Sequence, residues 1–280
     1  MDMRVPSLED ALASQRVAGS ARLTCAHRLD RTRLVRLHQE GAAKIRLPTA
    51  DGEPLEAVLI NTAGGLTGGD RLSWSIEVGE GAAACLTTQA SEKVYRAAAG
   101  RAEVAARLDV AAGGRVAWLP QETIVFDRAA FSRSLEVDLA SGAELLLVEA
   151  AVFGRTAMGE RAVDGLFLDR WRVRCEGALV HAEDFRIGPR IDDALARPAI
   201  AGGALALATV LLVSDRAETM VGEVRALLGD DCGASFWTVG QSGKLLARLR
   251  AEDGYALRRR LVPLLHLLNG AAGLPRLWSL

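Results

Sequence analysis

Three stretches of the chain align without a gap: Ile76–Ala90 reads IEVGEGAAACLTTQA, Leu108–Glu122 reads LDVAAGGRVAWLPQE, and Val137–Ala151 reads VDLASGAELLLVEAA. Each opens apolar-acid-apolar, crosses a glycine (Gly81, Gly113 or Gly142), and then runs apolar. Alternation before the glycine reads as a strand, and so does the short apolar run after it. Paired glycines and Pro120 argue against a helix here. The starts lie 32 and 29 residues apart, and a shortened fourth copy, VRCEGALVHAEDF, begins at Val173. After each second strand comes an aromatic with an arginine close by: Tyr95-Arg96, Phe126 with Arg128, Phe153 with Arg155, and Phe185-Arg186. A strand pair, turn and corner returning about every 30 residues predicts a mainly β fold, built of stacked β coils or layered β sheets.

Toward its end the chain changes character. ALALATVLLVS reads as a strand, and DRAETMVGEVRALLG as a helix capped by Asp215 and stopped by Gly229. ASFWTVGQSGKLLARLR reads as a hairpin around Gly240 to Gly243. EDGYALRRRLVPLLHLLN is again helical, with Pro263 expected to kink it or start a fresh turn. This β-α-β-β-α order fills 204–269, and the Pro- and Gly-bearing RPAIAGG (Arg197–Gly203) marks a boundary. The expected organisation is a repeat-containing β region over 1–200, with the Gly-rich stretch, and a smaller C-terminal α+β region over 201–280.

With 280 residues, half of them apolar, the chain can bury a large core. A net charge of -1 gives no basic excess, which argues against a polyanion partner. No apolar run reaches the roughly 18 residues of a membrane span. The opening MDMRVPSLEDALASQ carries acids and lacks the apolar centre of a signal peptide. Cys25, Cys85, Cys175 and Cys232 stand alone without a CxxC, so they read as small core residues in a cytoplasmic setting.

The richest local signal is NTAGGLTGGD, Asn61 to Asp70. Gly64 and Gly69 have the spacing of a phosphate loop, but Asp70 stands where the lysine is needed, and its carboxylate would repel phosphate. Two glycine pairs, Gly64-Gly65 and Gly68-Gly69, suggest instead a main chain that comes very close to something. Cys25 and His27 could share a strand face toward a soft metal, but two ligands are an incomplete set. Acids gather near the corners and strand ends: Asp70, Glu92, Glu122, Asp127, Glu149, Glu160, Glu183 and Asp184. Paired acids suit a β-helical carbohydrate-acting enzyme. A salt-bridge ladder with Arg96, Arg128, Arg155 and Arg186 accounts for the same residues. In FGRTAMGE (Phe153–Glu160), Arg155 could clamp an acid bidentately, or the stretch could be a solvated hairpin.

Taken in order, NTAGGLTGGD, LTTQASEKVYR, LPQETIVFDRA, FGRTAMGE and the terminal LPRLW resemble the motif series of the UreD (also called UreH) family of urease accessory proteins. They run from Asn61 to Trp278 and include Gln89, Lys93, Tyr95, Arg96, Gln121, Arg155 and Glu160. The resemblance implies a mostly β, non-catalytic scaffold. It would bind urease apoprotein, recruit UreF and through it the GTPase UreG, and help deliver nickel to the dinickel site. No cofactor would be tightly bound, though nickel could be held transiently. The family's loop acid falls on Asp70, and an acid of the fourth strand region on Glu183. These are the weak transit candidates, since oxygen ligands hold nickel less tightly than imidazole. For partner docking the natural elements are the amphipathic helix and the tail, Leu274, Pro275, Arg276 and Trp278, with Trp278 as an anchor type.

Overall fold

The computed structural model describes residues 16–48, 52–155 and 158–279. Residues 1–15, read above for a signal peptide, lie outside the described residues, as do Thr156 and Ala157 of FGRTAMGE.

The repeat is a rising coil. One sheet, A, takes the first strand of each copy: β5 (Arg71–Val78), β8 (Ala102–Val110), β11 (Ala129–Leu139) and β13 (Gly165–Cys175), paired parallel in chain order. A second, sheet B, takes the second strands: β6 (Ala83–Thr88), β9 (Arg115–Trp118) and β12 (Glu144–Phe153), also parallel. The gap-free alignment read in the sequence is the physical register. Ile76 faces Leu108 and Leu108 faces Val137 in sheet A. Across the turn, Ala83 faces Arg115 and Arg115 faces Glu144 in sheet B. Gly81, Gly113 and Gly142 make the same left-handed turn, at φ 62, 63 and 67°. A side chain is strained in this region, and glycine is not.

Short strands β7 (Glu92–Val94) and β10 (Thr123–Val125) stack with the end of β12 to form a third edge of the coil. Val94, Val125 and Phe153 share one level of this edge, so Tyr95, Phe126 and Gly154 share the next. Phe153 is therefore not the counterpart of Tyr95 and Phe126; it points into the core, 1% exposed.

The fourth copy corrects an expectation. Val173 stacks on Val137, but the chain then folds back as β14 (Ala178–Ile187), antiparallel to β13. Glu176 and Gly177, at φ 50 and 80°, join Cys175 to Ala178 through a two-residue turn. Two consecutive positive φ values are what a tight hairpin needs, so the chain reverses instead of crossing to sheet B. Phe185-Arg186 is consequently on an edge strand, paired opposite Asp169 and Leu168, and not at a corner. At the other end of sheet A, β1 (Ala18–Arg28) runs parallel to β5 and antiparallel to the edge strand β2 (Arg31–Gly41). Strands β3 (Ala43–Arg46) and β4 (Leu55–Asn61) finish sheet B on that side.

The C-terminal order β-α-β-β-α is present: β15 (Ala206–Val213), α2 (Ala217–Leu228), β16 (Gly233–Val239), β17 (Ser242–Ala251) and α3 (Gly254–Asn269), with a short α1 (Ile191–Ala196) ahead of it. β15 pairs antiparallel with β12 from Val152 to Leu145, so the expected β and α+β regions share sheet B. α2 is not capped by Asp215; the Ser214 hydroxyl accepts from the Arg216 amide instead, at 3.2 Å. Gly229, at φ 69°, ends it. α3 is capped by Asp253, which accepts from the Ala256 amide at 2.7 Å, and runs as one helix through the exposed Pro263. Proline removes only the amide that would have reached the Arg259 carbonyl, on a wet face.

Three layers result. Sheet A has one wet face, and its strands alternate. Sheet B is covered on both faces, which is why β12 is a nearly unbroken apolar run. Leu145 and Leu147 point toward sheet A, whereas Leu146 and Val148 meet α2 and α3. Leu257, Leu261, Leu264, Leu265 and Leu268 of α3 are fully buried there. Each stabilises the layer by about 2 kcal/mol.

Candidate functional site

The coil brings distant sequence words to one edge. Leu66, in the middle of NTAGGLTGGD, bridges Val94. Its amide donates to the Lys93 carbonyl and its carbonyl accepts from Tyr95, each at 2.7 Å. The glycines approach the next coil. A Cβ on Gly65 would lie 2.3 Å from the Tyr95 ring, and one on Gly68 would lie 2.2 Å from the Ala99 carbonyl oxygen. Asn61 spans the loop: its Oδ1 accepts from Ala63 at 3.0 Å, and its Nδ2 donates to Glu92 at 3.2 Å. Asp70 is 2% exposed and turned inward, accepting from the amides of Val17 at 2.9 Å and Thr67 at 2.7 Å. It closes the loop where β5 begins.

Glu92 stands between this loop and the interior. Burial pushes its pKa up to about 7, against the pull of the Asn61 amide, with the Asp70 charge adding to the rise. Further inside, Arg133 of β11 is buried between Asp169 of β13 and Glu149 of β12. It donates to Asp169 from Nε at 3.1 Å and from a terminal nitrogen at 2.6 Å, and to the Thr123 hydroxyl at 3.2 Å. Its other ion pair is with Glu149, whose second oxygen accepts from Trp118 Nε1 at 2.9 Å. Trp171 Nε1 donates to Asp169 at 2.9 Å. Burial raises the Glu149 pKa although Arg133 opposes it.

Two cavities adjoin at this cluster and share Arg133 and Glu149. The first, about 270 Å³, reaches back to Asn61, Gly65, Glu92 and Gln121. The second, about 310 Å³, continues past Asp169 to Glu183 and Arg248. Glu183 pairs with Arg248 at 2.5 Å. Asp70 and Glu183 do not share a cavity; Asp70 adjoins Glu92 at one end of the acidic row, and Glu183 lines the other end. Among the described residues, no three His, Cys, Asp or Glu side chains are grouped to hold a metal ion. The Cys25–His27 pair does not converge, because Cys25 is buried, with its thiol pushed up to about 12 by burial, while His27 is exposed.

The family pattern described as "UreD urease accessory protein" matches residues 17–279. The chain belongs to the UreD family of urease accessory proteins. It is 66% identical over 267 residues to the urease accessory protein UreD of Mesorhizobium japonicum, covering 95% of each chain. It is 55% identical over 269 residues to the urease accessory protein UreD 1 of Brucella abortus, covering 96% of each.

In this UreD-family chain the LPQET and LPRLW words meet. Trp278 is 3% exposed; its Nε1 donates to the Leu119 carbonyl at 3.0 Å and the Arg258 guanidinium lies 5.2 Å over its ring. Gln121 donates to the Leu277 carbonyl at 3.0 Å and accepts from Arg258 at 2.5 Å. The tail thus packs on its own chain. Of the four tail residues expected at a partner surface, Pro275 and Trp278 are buried, Leu274 is half-buried, and Arg276 is exposed. Arg155 clamps Glu160 of its own word, while Lys93 and Gln89 are exposed at the edge.

Sequence reasoning missed Arg133 and Asp169 and ranked Glu149 no higher than other acids. The signal was present in the alternation. Phe131-Arg133-Leu135 and Phe167-Asp169-Trp171 are inward phases of their strands, and both put a charge where the core runs.

Proposed function

We propose that this chain is a non-catalytic scaffold of urease maturation. It binds the urease apoprotein, recruits UreF and through it the GTPase UreG, and offers nickel a weak path on its way to the dinickel site. The observation that carries the path is the pair of adjoining cavities in a urease accessory protein, lined in succession by Glu92, Glu149, Asp169 and Glu183. Carboxylate oxygens are hard ligands and hold nickel less firmly than imidazole. Each of these acids already has a partner in Asn61, Arg133 or Arg248, so a passing cation competes for it and is released again. Asp70 serves the same row through its charge beside Glu92, while its oxygens hold the loop.

The outer stripe of α3 supports partner docking. Tyr255, Arg259, Pro263 and His266 are exposed there, one above another at helical spacing. No helix among the described residues is long and apolar enough to cross a membrane, and the scaffold is read as cytoplasmic. The carbohydrate-acting alternative loses its support: Trp118 and Trp171, the rings that donate to Glu149 and Asp169, are 4% and 1% exposed and offer no open platform.

The test is nickel per urease when the chain is co-expressed with the urease genes. Glu149→Gln with Glu183→Gln lowers it while UreF, UreG and urease still co-purify with the chain, and Asp70→Asn with Glu183→Gln does the same. Full loading in both double variants removes the path. A wild-type chain that captures no urease removes the scaffold reading itself.

A further inference from the structure

An outer cleft of about 460 Å³ is walled by Tyr95, Arg96, Phe126, Asp127, Arg155 and their neighbours, where three of the family's words stack. Its acids are committed inward. Asp127 Oδ1 accepts from the amides of Val163 and Asp164, at 2.9 and 3.0 Å. Glu160 accepts from the Asp127 amide at 3.2 Å and pairs with Arg155. Arg155 is held by that pair and lies 4.3 Å over the Phe126 ring. Arg128 meets Asp127 only at 3.6 Å. Arg96 is exposed and pairs with no acid among the described residues. Three arginines against two acids leave the cleft one positive charge in surplus.

The surplus charge stands on a fixed frame. The Arg96 carbonyl accepts from the Thr67 hydroxyl at 2.8 Å, and the Arg96 main chain bridges Ala129. Tyr95 and Phe126 meet edge-to-face at 4.9 Å, and the Tyr95 hydroxyl donates to the Gly64 carbonyl at 3.3 Å. Tyr95 is 39% exposed beside the unused guanidinium. A guanidinium fork selects a carboxylate, and an aromatic face beside it selects an apolar neighbour. A free small anion would use only the first feature, whereas a peptide segment uses both.

We infer that this cleft docks an acidic segment of the urease apoprotein, an Asp or Glu side chain forking onto Arg96 while an adjoining apolar group covers Tyr95. The inference rests on the scaffold reading above. The test is capture of urease apoprotein by the full-length chain from low to high salt. Arg96→Glu lowers capture about tenfold at low salt and flattens its salt dependence. Arg96→Gln gives a smaller loss in the same direction. Arg36→Glu, the same change at an exposed arginine on edge strand β2, leaves capture as it was. Equal capture by Arg96→Glu and wild type at every salt overturns the cleft and leaves the scaffold standing. An equal loss in Arg36→Glu also overturns it, because net charge would then be the cause. No capture by the wild type overturns both readings.

Discussion

The interior and the outer cleft each hold arginine among acids, with opposite bookkeeping. Inside, Arg133 has two carboxylates and a hydroxyl, and every arm of its guanidinium is engaged. Outside, Arg96 is fixed by its main chain while its side chain has no acid among the described residues. Burial explains the difference. A buried charge must be paired to exist at all, whereas water supports an unpaired one until a partner replaces the water. Interior charges are therefore read through stability, and cleft charges through association.

The comparison breaks most sharply at Arg133. Arg133→Met leaves Glu149 and Asp169 facing each other in the core and is expected to cost about 3–5 kcal/mol in urea unfolding. Adding Glu149→Gln and Asp169→Asn to Arg133→Met should restore most of that loss, because neutral groups need no counterion. A single variant as stable as wild type would show that the triad is not dry. Next comes Glu92, which keeps its proton in the folded chain up to about pH 7. An unfolded chain releases that proton at the ordinary carboxylate pKa, so this group's stabilising share is present in acid and is lost as pH rises toward 7. Glu92→Gln should match wild type near pH 4.5 and exceed it by about 3 kcal/mol at pH 8. A pH-independent difference between their urea midpoints would contradict this.

Gly65→Ala comes close behind. The residue sits at φ 147° with the Tyr95 ring 2.3 Å from any added Cβ, and a loss of about 2 kcal/mol is expected. Gly64→Ala, with positive φ but open space around it, should cost less in the same thermal melts. The smallest effect belongs to the cleft. Arg96→Glu should shift stability by less than about 0.5 kcal/mol, since its side chain supports nothing in its own fold.

Much of this architecture could be read from the chain because the repeat carries its own register. A period-2 alternation stopped by a glycine at a fixed place specifies both sheets at once, and Ile76, Leu108 and Val137 stack as their alignment says. The fourth copy went astray on one residue: Gly177 comes four places after Val173, where the coil turns put glycine five places on, and the shorter spacing makes a hairpin. The tail poses a different problem. A terminal Trp278 has the composition of an anchor, but composition does not say whose surface it anchors to, and Leu119 and Arg258 hold it in cis. The cavities could not be read at all, since they arise from strands 30 or more residues apart. Their charged walls were visible as Arg133 and Asp169 in core phase, a mismatch that packing resolves only by pairing them.

The fixed glycine turn also constrains how this chain can lengthen. Seven steps carry each copy across that edge, from Ile76 to Ala83, Leu108 to Arg115 and Val137 to Glu144. The opposite edge varies. Between stacked positions, Val94 to Ala102 takes eight steps where Val125 to Phe131 takes six. One rim therefore works as a ruler and the other as a seam that can be let out. Residues gained over generations are expected to collect along the seam, beside Tyr95 and Arg96, so that the docking rim can be retailored while the stack behind it keeps its measure.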